Sequence, residues 1–233
     1  MRENFRLLVF SLVAVFCTAG IAVGDVISLQ DLLDGTITSV TSADGTVEFT
    51  NFTYIPTVGA PDALDVNVIT NDDVPDGIQV QGAFQAFDGF SMDVLFGFDA
   101  VLVAGGDITE ANLALISSFA EGVSTSNPTH QSAVTINENI DALVGAPPTG
   151  NLFVFDKAAE GEDQLTDSTM LDGFGSGVHV LKDIGITSVP LDLTEDGVSR
   201  AGMSLFTQSF IPEPATWTLL AATSILVLVR RRR

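Results

Sequence analysis

Clustered acidic side chains are the residues best suited to chemistry in this chain of 233 residues. Asp72, Asp73 and Asp76 lie close together, and a second cluster follows at Glu160, Glu162, Asp163, Asp167 and Asp172. Calcium binds six to eight hard oxygen ligands and accepts irregular loops, so calcium is the one candidate cofactor. Neither cluster has the spacing of an EF-hand loop, and solvated acidic loops are the alternative.

Other residue types give no pattern typical of a catalytic site. His130 and His179 are the two histidines, and neither has a partner at the spacing of a zinc site. The segment from Gly173 to Gly177 lacks the lysine of a phosphate loop and the glycine spacing of a nucleophile elbow, so it indicates a flexible turn. We therefore expect no catalytic residue and no enzyme activity.

A carboxylate-dependent hydrolase remains the alternative, since the spacing of paired carboxylates is set in space rather than in sequence. Sugar-stacking residues are scarce: the single Trp217 lies near the C-terminus, and Tyr54 is the one tyrosine.

Residues 1–24 predict a secretory signal peptide. Arg2 and Arg6 precede an apolar stretch, and Ala22 and Gly24 supply the small residues that signal peptidase recognises. Cleavage is expected after Gly24. It would remove Cys17, the one cysteine, and with it any disulfide or thiolate chemistry.

The C-terminal segment, 212–233, begins with Pro212, Glu213 and Pro214. Residues 215–229 carry no charge, and the chain ends in Arg230, Arg231, Arg232 and Arg233. A helix over 215–229 would be about 22 Å long, shorter than the ~30 Å hydrocarbon core. The arginines are expected to stop transfer on the cytoplasmic side. A single apolar transmembrane helix within a processed sorting signal is therefore favoured over a simple anchor.

Pro-Glu-Pro, an apolar segment and a terminal arginine cluster resemble the PEP-CTERM sorting domain of bacterial surface and matrix proteins. The resemblance covers residues 211–233; Ile211 and Ala215 stand where valine and serine or threonine are commoner. It implies that exosortase recognises the motif, that the tail is cut near it, and that the protein joins the extracellular polysaccharide layer, as in a biofilm.

The resemblance also implies a path and a set of partners. The chain would be secreted through the inner membrane and then held at the cell surface or in the extracellular matrix. Its partners would be signal peptidase and exosortase during processing, the membrane before the tail is cut, and polysaccharide or other matrix components afterwards.

Residues 25–211 form the predicted ectodomain, and their charge is strongly acidic. Lys157, Lys182 and Arg200 are its three basic residues, and all of the 30 acidic residues except Glu3 and Glu213 lie within it. The net charge of this part is therefore 3 minus 28, or −25. Such a surface repels nucleic acid and anionic lipid, so neither is an expected partner of the ectodomain.

Period-two alternation and regularly spaced turns predict an all-β ectodomain, an antiparallel β-sandwich that is jelly-roll-like. Asp44-Gly45 and Asp88-Gly89 are typical hairpin turns. The predicted strands lie at 46–54, 64–70, 78–87, 92–103, 132–138, 152–156, 178–188 and 203–210.

The segment 108–121 fits both strand and helix. Asp107 to Glu110 resembles a capping box, whereas the residues from Leu113 to Phe119 also alternate, and these local signals slightly favour the helix. The chain's layout resembles an uncharacterised group of secreted PEP-CTERM proteins, in which this segment is a strand; the resemblance rests on Ser28–Gly35, Phe49–Phe52 and Val134–Ile140. We therefore predict a strand.

Together these features predict a secreted, exosortase-sorted, non-catalytic protein of the cell surface or matrix. The alternative is a secreted hydrolase or glycan-binding module that acts on extracellular polysaccharide.

Overall fold

The structure is a computed structural model that describes residues 24–144, 149–159, 163–194 and 197–213. Most of the predicted signal peptide and the tail from Pro214 onward, with the predicted apolar helix, lie outside the described residues. Among the described residues, no helix is long and apolar enough to cross a membrane.

Twelve strands, one short α-helix and two 3₁₀ turns make up the described chain. The 3₁₀ turns are Ala63–Asp65 and Leu191–Leu193. The other elements are β1 (Val26–Ser28), α1 (Leu29–Leu33), β2 (Ser39–Thr41), β3 (Val47–Pro56), β4 (Asn67–Ile69), β5 (Gly77–Phe87), β6 (Ser91–Leu102), β7 (Ile108–Glu121), β8 (Ala133–Ala142), β9 (Thr149–Lys157), β10 (Thr166–Met170), β11 (Gly177–Thr187) and β12 (Arg200–Pro212).

The strands form two six-stranded sheets, in which every pairing is antiparallel. Sheet I has the order β1-β4-β5-β12-β7-β10, and sheet II has the order β2-β3-β6-β11-β8-β9. Side chains on the facing sides of the two sheets build one core. The predicted all-β antiparallel sandwich is thus confirmed at the level of fold class.

Alternation along each strand decides which residues enter the core, because successive side chains of a strand point to opposite faces. In β11, Val178, Val180, Ile184 and Ile186 are buried. The centre of the core is aromatic, with neighbouring rings whose centroids lie 5.7 to 6.4 Å apart: Phe49, Phe96, Phe98, Phe206 and Phe210.

Segment 108–121 is strand β7, as predicted. It pairs with β12 from Ile108, opposite Pro212, to Glu121, opposite Arg200. Its alternate residues Leu113 and Leu115 are buried. A helix here would leave one side of β12, a central strand of sheet I, without hydrogen-bond partners, so pairing across the sheet outweighs the local capping pattern.

Short elements depart from the sequence-based prediction. Residues 64–70 contain the end of a 3₁₀ turn and the three-residue strand β4 rather than one strand. Helix α1 was not predicted; Ser28 Oγ caps it by accepting a hydrogen bond from Gln30 N at 3.3 Å. Strands β1, β2 and β10 were also not predicted.

Strand β12 continues to Pro212, one residue beyond the predicted ectodomain boundary. At that end it pairs with β7 alone, since its pairing with β5 stops at Ser209. A proline, which lacks the N–H donor, is tolerated at such a position. The Glu213 N–H then donates to Asp107 O at 2.9 Å, so the first two residues of Pro-Glu-Pro lie against the folded body.

Candidate functional site

The outer face of sheet II carries a row of polar residues that crosses five strands. In register from β3 to β9 the row is Thr50, Asp99, His179, Asp141 and Thr149. Side chains directly opposite one another on antiparallel strands have Cβ atoms about 4.5–5.5 Å apart, so neighbours in this row are within contact distance.

Asp99 is the residue of this polar row whose side chain is held by two hydrogen bonds. Its Oδ1 accepts from His179 Nδ1 at 2.6 Å, and its Oδ2 accepts from Asn51 Nδ2 at 2.7 Å. The Asp99 side chain is 14% exposed, whereas that of His179 is 44% exposed. Because Nδ1 is engaged, Nε2 is the imidazole nitrogen that a ligand would meet.

A β-bulge places Asn51 beside Asp99. The register between β3 and β6 shifts between Thr50 and Thr53, and Asn51 adopts a left-handed conformation with φ 52°. Asn tolerates this region better than most residues. The bulge therefore turns the Asn51 amide toward the polar row.

Two further rows extend the face. The next row holds Gly97, Leu181, Asn139 and Asn151, and the one after it holds Leu95, Asp183, Asn137 and Phe153. Leu95, Leu181 and Phe153 are 39%, 37% and 37% exposed; the first two lie on inner strands of the sheet and the third on its edge strand, β9. The outer face of sheet II thus combines amides and carboxylates with exposed apolar surface.

A second candidate surface lies at the β5–β6 hairpin. A cleft of about 280 Å³ is lined there by Val58, Phe87 and Phe90 among other residues. The two phenylalanines are 50% and 73% exposed. They supply aromatic surface that the counts of tryptophan and tyrosine did not predict.

A buried polar cluster lies between the sheets. Lys182 of β11 donates to Glu138 Oε2 of β8 and to Gln208 Oε1 of β12, the latter at 2.5 Å. The three residues are 0%, 1% and 0% exposed. The rings of Phe98 and Phe206 lie 5.9 and 5.7 Å from Lys182 Nζ. A substrate in solution therefore cannot reach this cluster.

Burial dominates the electrostatics of the cluster. It raises the pKa of Glu138, although the Lys182 ammonium opposes this, and it lowers the pKa of Lys182, although Glu138 opposes that. Both directions disfavour the charged forms in a medium that solvates ions poorly. In the described part of the chain, Glu138 Oε1 and Gln208 Nε2 make no hydrogen bond of good geometry, although the nearby Gln208 side chain acts to lower the pKa of Glu138.

No protein-family model matches this chain, and no curated protein matches it in sequence. Two solved structures are similar in part. TmCBM61, solved in complex with β-1,4-galactotriose, has a TM-score of 0.34 and 7% identity over 69% of this chain and 88% of that one. The enzymatically active domain of bacteriophage CBA120 tailspike protein 4 has a TM-score of 0.24 and 12% identity over 69% of this chain and 19% of that one. Both TM-scores are low, and the fold of this chain is defined by its own strand pairing.

The predicted calcium residues lie in the turn before β5. Asp72 and Asp73 are exposed, and Asp76 is half-buried. Asn71 Oδ1 accepts from the N–H groups of Asp73 and Val74, which makes the segment an Asx turn. Among the described residues, no group of three or more acidic, histidine or cysteine side chains is arranged to hold a metal ion. Calcium binding here therefore stays a prediction.

Two described acids of the second cluster, Asp163 and Asp167, accept hydrogen bonds from the backbone. Asp163 Oδ1 accepts from Lys157 N at 3.0 Å, and Asp167 Oδ2 accepts from Phe153 N at 2.8 Å. Glu160 and Glu162 lie outside the described residues.

The remaining candidates lie apart from one another. His130 closes a turn through a hydrogen bond from its N–H to Asn127 O, far in sequence from His179 on β11. Gly173 and Gly175 have φ of 80° and 72° in the connection between β10 and β11, which agrees with the predicted turn.

Of the processing residues, Gly24, Pro212 and Glu213 are described, whereas Ala22, Pro214 and Arg230 to Arg233 lie outside the described residues.

Sequence reasoning missed the contact of His179 with Asp99, because the pairing of β6 with β11 joins residues 80 positions apart. It also missed the buried cluster, although a signal was present. Lys182 and Glu138 each occupy a core-facing position of an alternating apolar strand. A charged residue in that phase indicates a buried, paired group.

Proposed function

We propose that this protein is a non-catalytic module of the bacterial cell surface or extracellular matrix, and that it binds polysaccharide on the outer face of sheet II. The observation that carries the proposal is the Asp99 carboxylate, held by two donors within a polar row on the outer face of sheet II. Groups fixed before binding lose little conformational entropy when a ligand arrives.

The chemistry of the face suits sugars. A sugar ring offers hydroxyl groups that donate and accept hydrogen bonds, and C–H faces that pack on apolar side chains. Asp99, His179, Asn139 and Asn151 supply the polar partners, and Leu181 supplies exposed apolar surface beside them. The net charge of −25 disfavours anionic polysaccharide, so a neutral glycan is the expected ligand class.

Strand pairing supports a jelly-roll-like assignment within the sandwich class. β5 pairs with β12, β6 with β11, β7 with β10, and β8 with β9. These nested pairs alternate between the two sheets, as when one long hairpin is wrapped into two sheets. The alternation supports our interpretation of the central eight strands as a jelly roll.

The C-terminal motif supports delivery to the cell surface. Pro-Glu-Pro, the apolar segment and the arginine cluster resemble the sorting signal that exosortase recognises, and the N-terminus resembles a signal peptide. We propose that both segments are processed and that the sandwich stays in the polysaccharide layer.

Affinity for a panel of neutral and acidic polysaccharides, measured by affinity electrophoresis and calorimetry, tests the binding proposal. Asp99→Asn and His179→Ala should each weaken binding of a neutral glycan at least about tenfold, equivalent to ~1.4 kcal/mol. Ser168→Ala, on the exposed edge strand of sheet I, is the matched control and should bind normally.

Two outcomes would contradict the proposal. Loss of binding in Phe90→Ala with normal binding in Asp99→Asn would move the site to the hairpin cleft. Release of reducing ends by the wild type, abolished in Asp99→Asn, would favour the hydrolase alternative. Asp99 and Asp141 lie two strands apart, which corresponds to a separation of about 10 Å. This is near the upper limit of the distance between the two carboxyl groups of an inverting glycosidase.

A further inference from the structure

We propose that Lys182 and Gln208 join in an isopeptide bond between the two sheets, formed by the folded protein itself with Glu138 as the proton carrier. The bond would link Nζ of Lys182, on β11 of sheet II, to Cδ of Gln208, on β12 of sheet I. No external enzyme, oxidant or cofactor is required.

The three groups needed for this reaction are in contact. Lys182 Nζ donates to the Gln208 carbonyl oxygen at 2.5 Å, so the electrophilic carbon is one bond beyond the contact atom. The same Nζ contacts the Glu138 carboxyl group. Holding the reactants at such distances in a fixed geometry removes much of the activation barrier that makes amide exchange slow in water.

The surroundings of the cluster favour the reactive protonation states. A lysine attacks as the neutral amine, and a carboxyl group assists best when it can both give and accept a proton. Burial lowers the pKa of Lys182 and raises that of Glu138, which favours the amine beside the carboxylic acid. Phe98 and Phe206 line the apolar side of the lysine head.

The step balances within the three side chains. The lone pair of Nζ attacks Cδ of Gln208, and the carbonyl π electrons move to Oε1, which leaves an oxyanion there and a positive charge on Nζ. The Glu138 carboxyl group then carries one proton from Nζ to Nε2 of Gln208. The C–Nε2 bond breaks with its electron pair on nitrogen, ammonia leaves, and Glu138 is regenerated.

Forming the bond would remove a buried polar group that destabilises the unlinked protein. Gln208 Nε2 is a buried donor pair that makes no hydrogen bond of good geometry in the described chain, although the Gln208 side chain is close enough to Glu138 to lower the pKa of that carboxyl group, and Nε2 leaves as ammonia. A buried polar group without a hydrogen bond is destabilising and requires an explanation. The new amide keeps one N–H, which can donate to the Glu138 carboxyl group.

The isopeptide bond would stabilise the fold as a disulfide does, in a chain that cannot form an internal disulfide. The chain has one cysteine, which lies in the predicted signal peptide. Lys182 and Gln208 are 26 positions apart, so their linkage would close a loop and restrict the unfolded chain as a disulfide does.

Peptide mass spectrometry of the full chain, secreted and folded, tests the proposal. Trypsin cuts after Lys157, Lys182 and Arg200, but it does not cut after an acylated lysine. We expect the peptide 158–200, uncut at Lys182, joined to the peptide that begins at Ala201, with a mass lower than their sum by one ammonia molecule. This signature is independent of how either chain end is processed.

Two results would overturn the inference. One is a free peptide ending at Lys182 as the main product, even after long incubation of the folded protein. The other is a peptide 158–200 joined to the one ending at Lys157, lighter by one water molecule, which would place the bond on Glu138 instead.

Matched variants assign the roles. Glu138→Gln should slow the cross-link about a hundredfold or more, whereas Glu110→Gln on β7 should leave it unchanged. Gln208→Met should abolish it, and Gln81→Met, at an exposed position of β5, should not. An undiminished rate of cross-linking in Glu138→Gln would refute the assigned proton carrier. The wild-type peptide result stands even if a variant fails to fold.

Discussion

Asp76 and Asp156 are half-buried carboxyl groups whose pKa is raised, in both cases chiefly by burial. Asp44 adds to the shift at Asp76, and Asp163 adds to it at Asp156. The folded state therefore binds protons more tightly than the unfolded state, where the pKa of an aspartate is near 3.8. Stability is then lost as the pH rises through the folded pKa of each group.

We expect the melting temperature to fall as the pH is raised from about 4 toward neutrality, and thermal denaturation across that range measures it. Asp76→Asn and Asp156→Asn should flatten the curve and raise the neutral-pH melting temperature by about 1–3 °C. Asp72→Asn removes the same charge from an exposed position of the same turn. An equal rise in this control would attribute the effect to net charge rather than to burial.

Individual contacts were the hardest features to predict from sequence. Lys182 and Glu138 occupy the buried phase of alternating strands, a signal that our sequence analysis did not use, and alternation alone could not have paired them, because they are 44 positions apart in sequence. It also could not bring Gln208 across from the other sheet. Asp99 and His179 needed the register between β6 and β11, which local patterns do not determine.

The bulge in β3 is the element that positions Asn51. Asn51→Gly and Asn51→Ala both remove the amide that donates to Asp99 Oδ2, but Gly alone adopts φ 52° without steric cost. We expect Asn51→Ala to be less stable than Asn51→Gly by about 1 kcal/mol, measured by urea denaturation. Equal stability of the two variants would mean that the bulge relaxes without Asn51 holding its conformation.

Long strands were predictable because their apolar residues repeat with period two over many positions, as from Ile78 to Phe87. Strands β1, β2 and β10 have three to five residues, too few for a pattern to stand out. Over 108–121, local signals for helix and strand were nearly balanced, and pairing with β12 decided the outcome. The sequence of a single segment does not show which strands it will pair with.

For the whole molecule, we predict that the mature surface form ends near Pro214 and lacks Arg230 to Arg233. The folded body includes Pro212, opposite Ile108, and the Glu213 N–H bonded to Asp107 O. A cut at or beyond Pro214 would leave these contacts intact. Mass spectrometry of the C-terminus, on protein taken from the native cell surface, measures the end directly.

Glu213→Ala should increase the fraction of molecules that keep the tail, because it changes the central residue of the proposed recognition motif. Glu110→Ala, on the strand beside it, is the control and should be processed normally. An intact arginine tail on most wild-type molecules would instead make the segment an ordinary membrane anchor.

Strand β12 runs through the middle of sheet I, paired with β5 from Arg200 to Ser209 and with β7 from Arg200 to Pro212. Any tether attached to the C-terminus would pull along the axis of this strand. The hydrogen bonds on both of its sides would then bear the load together, in shear, instead of opening one at a time from an edge. A cross-link at Gln208 would confine extension to the few residues after it. A protein tethered in this way would be held by a strand that is hydrogen-bonded along both of its sides.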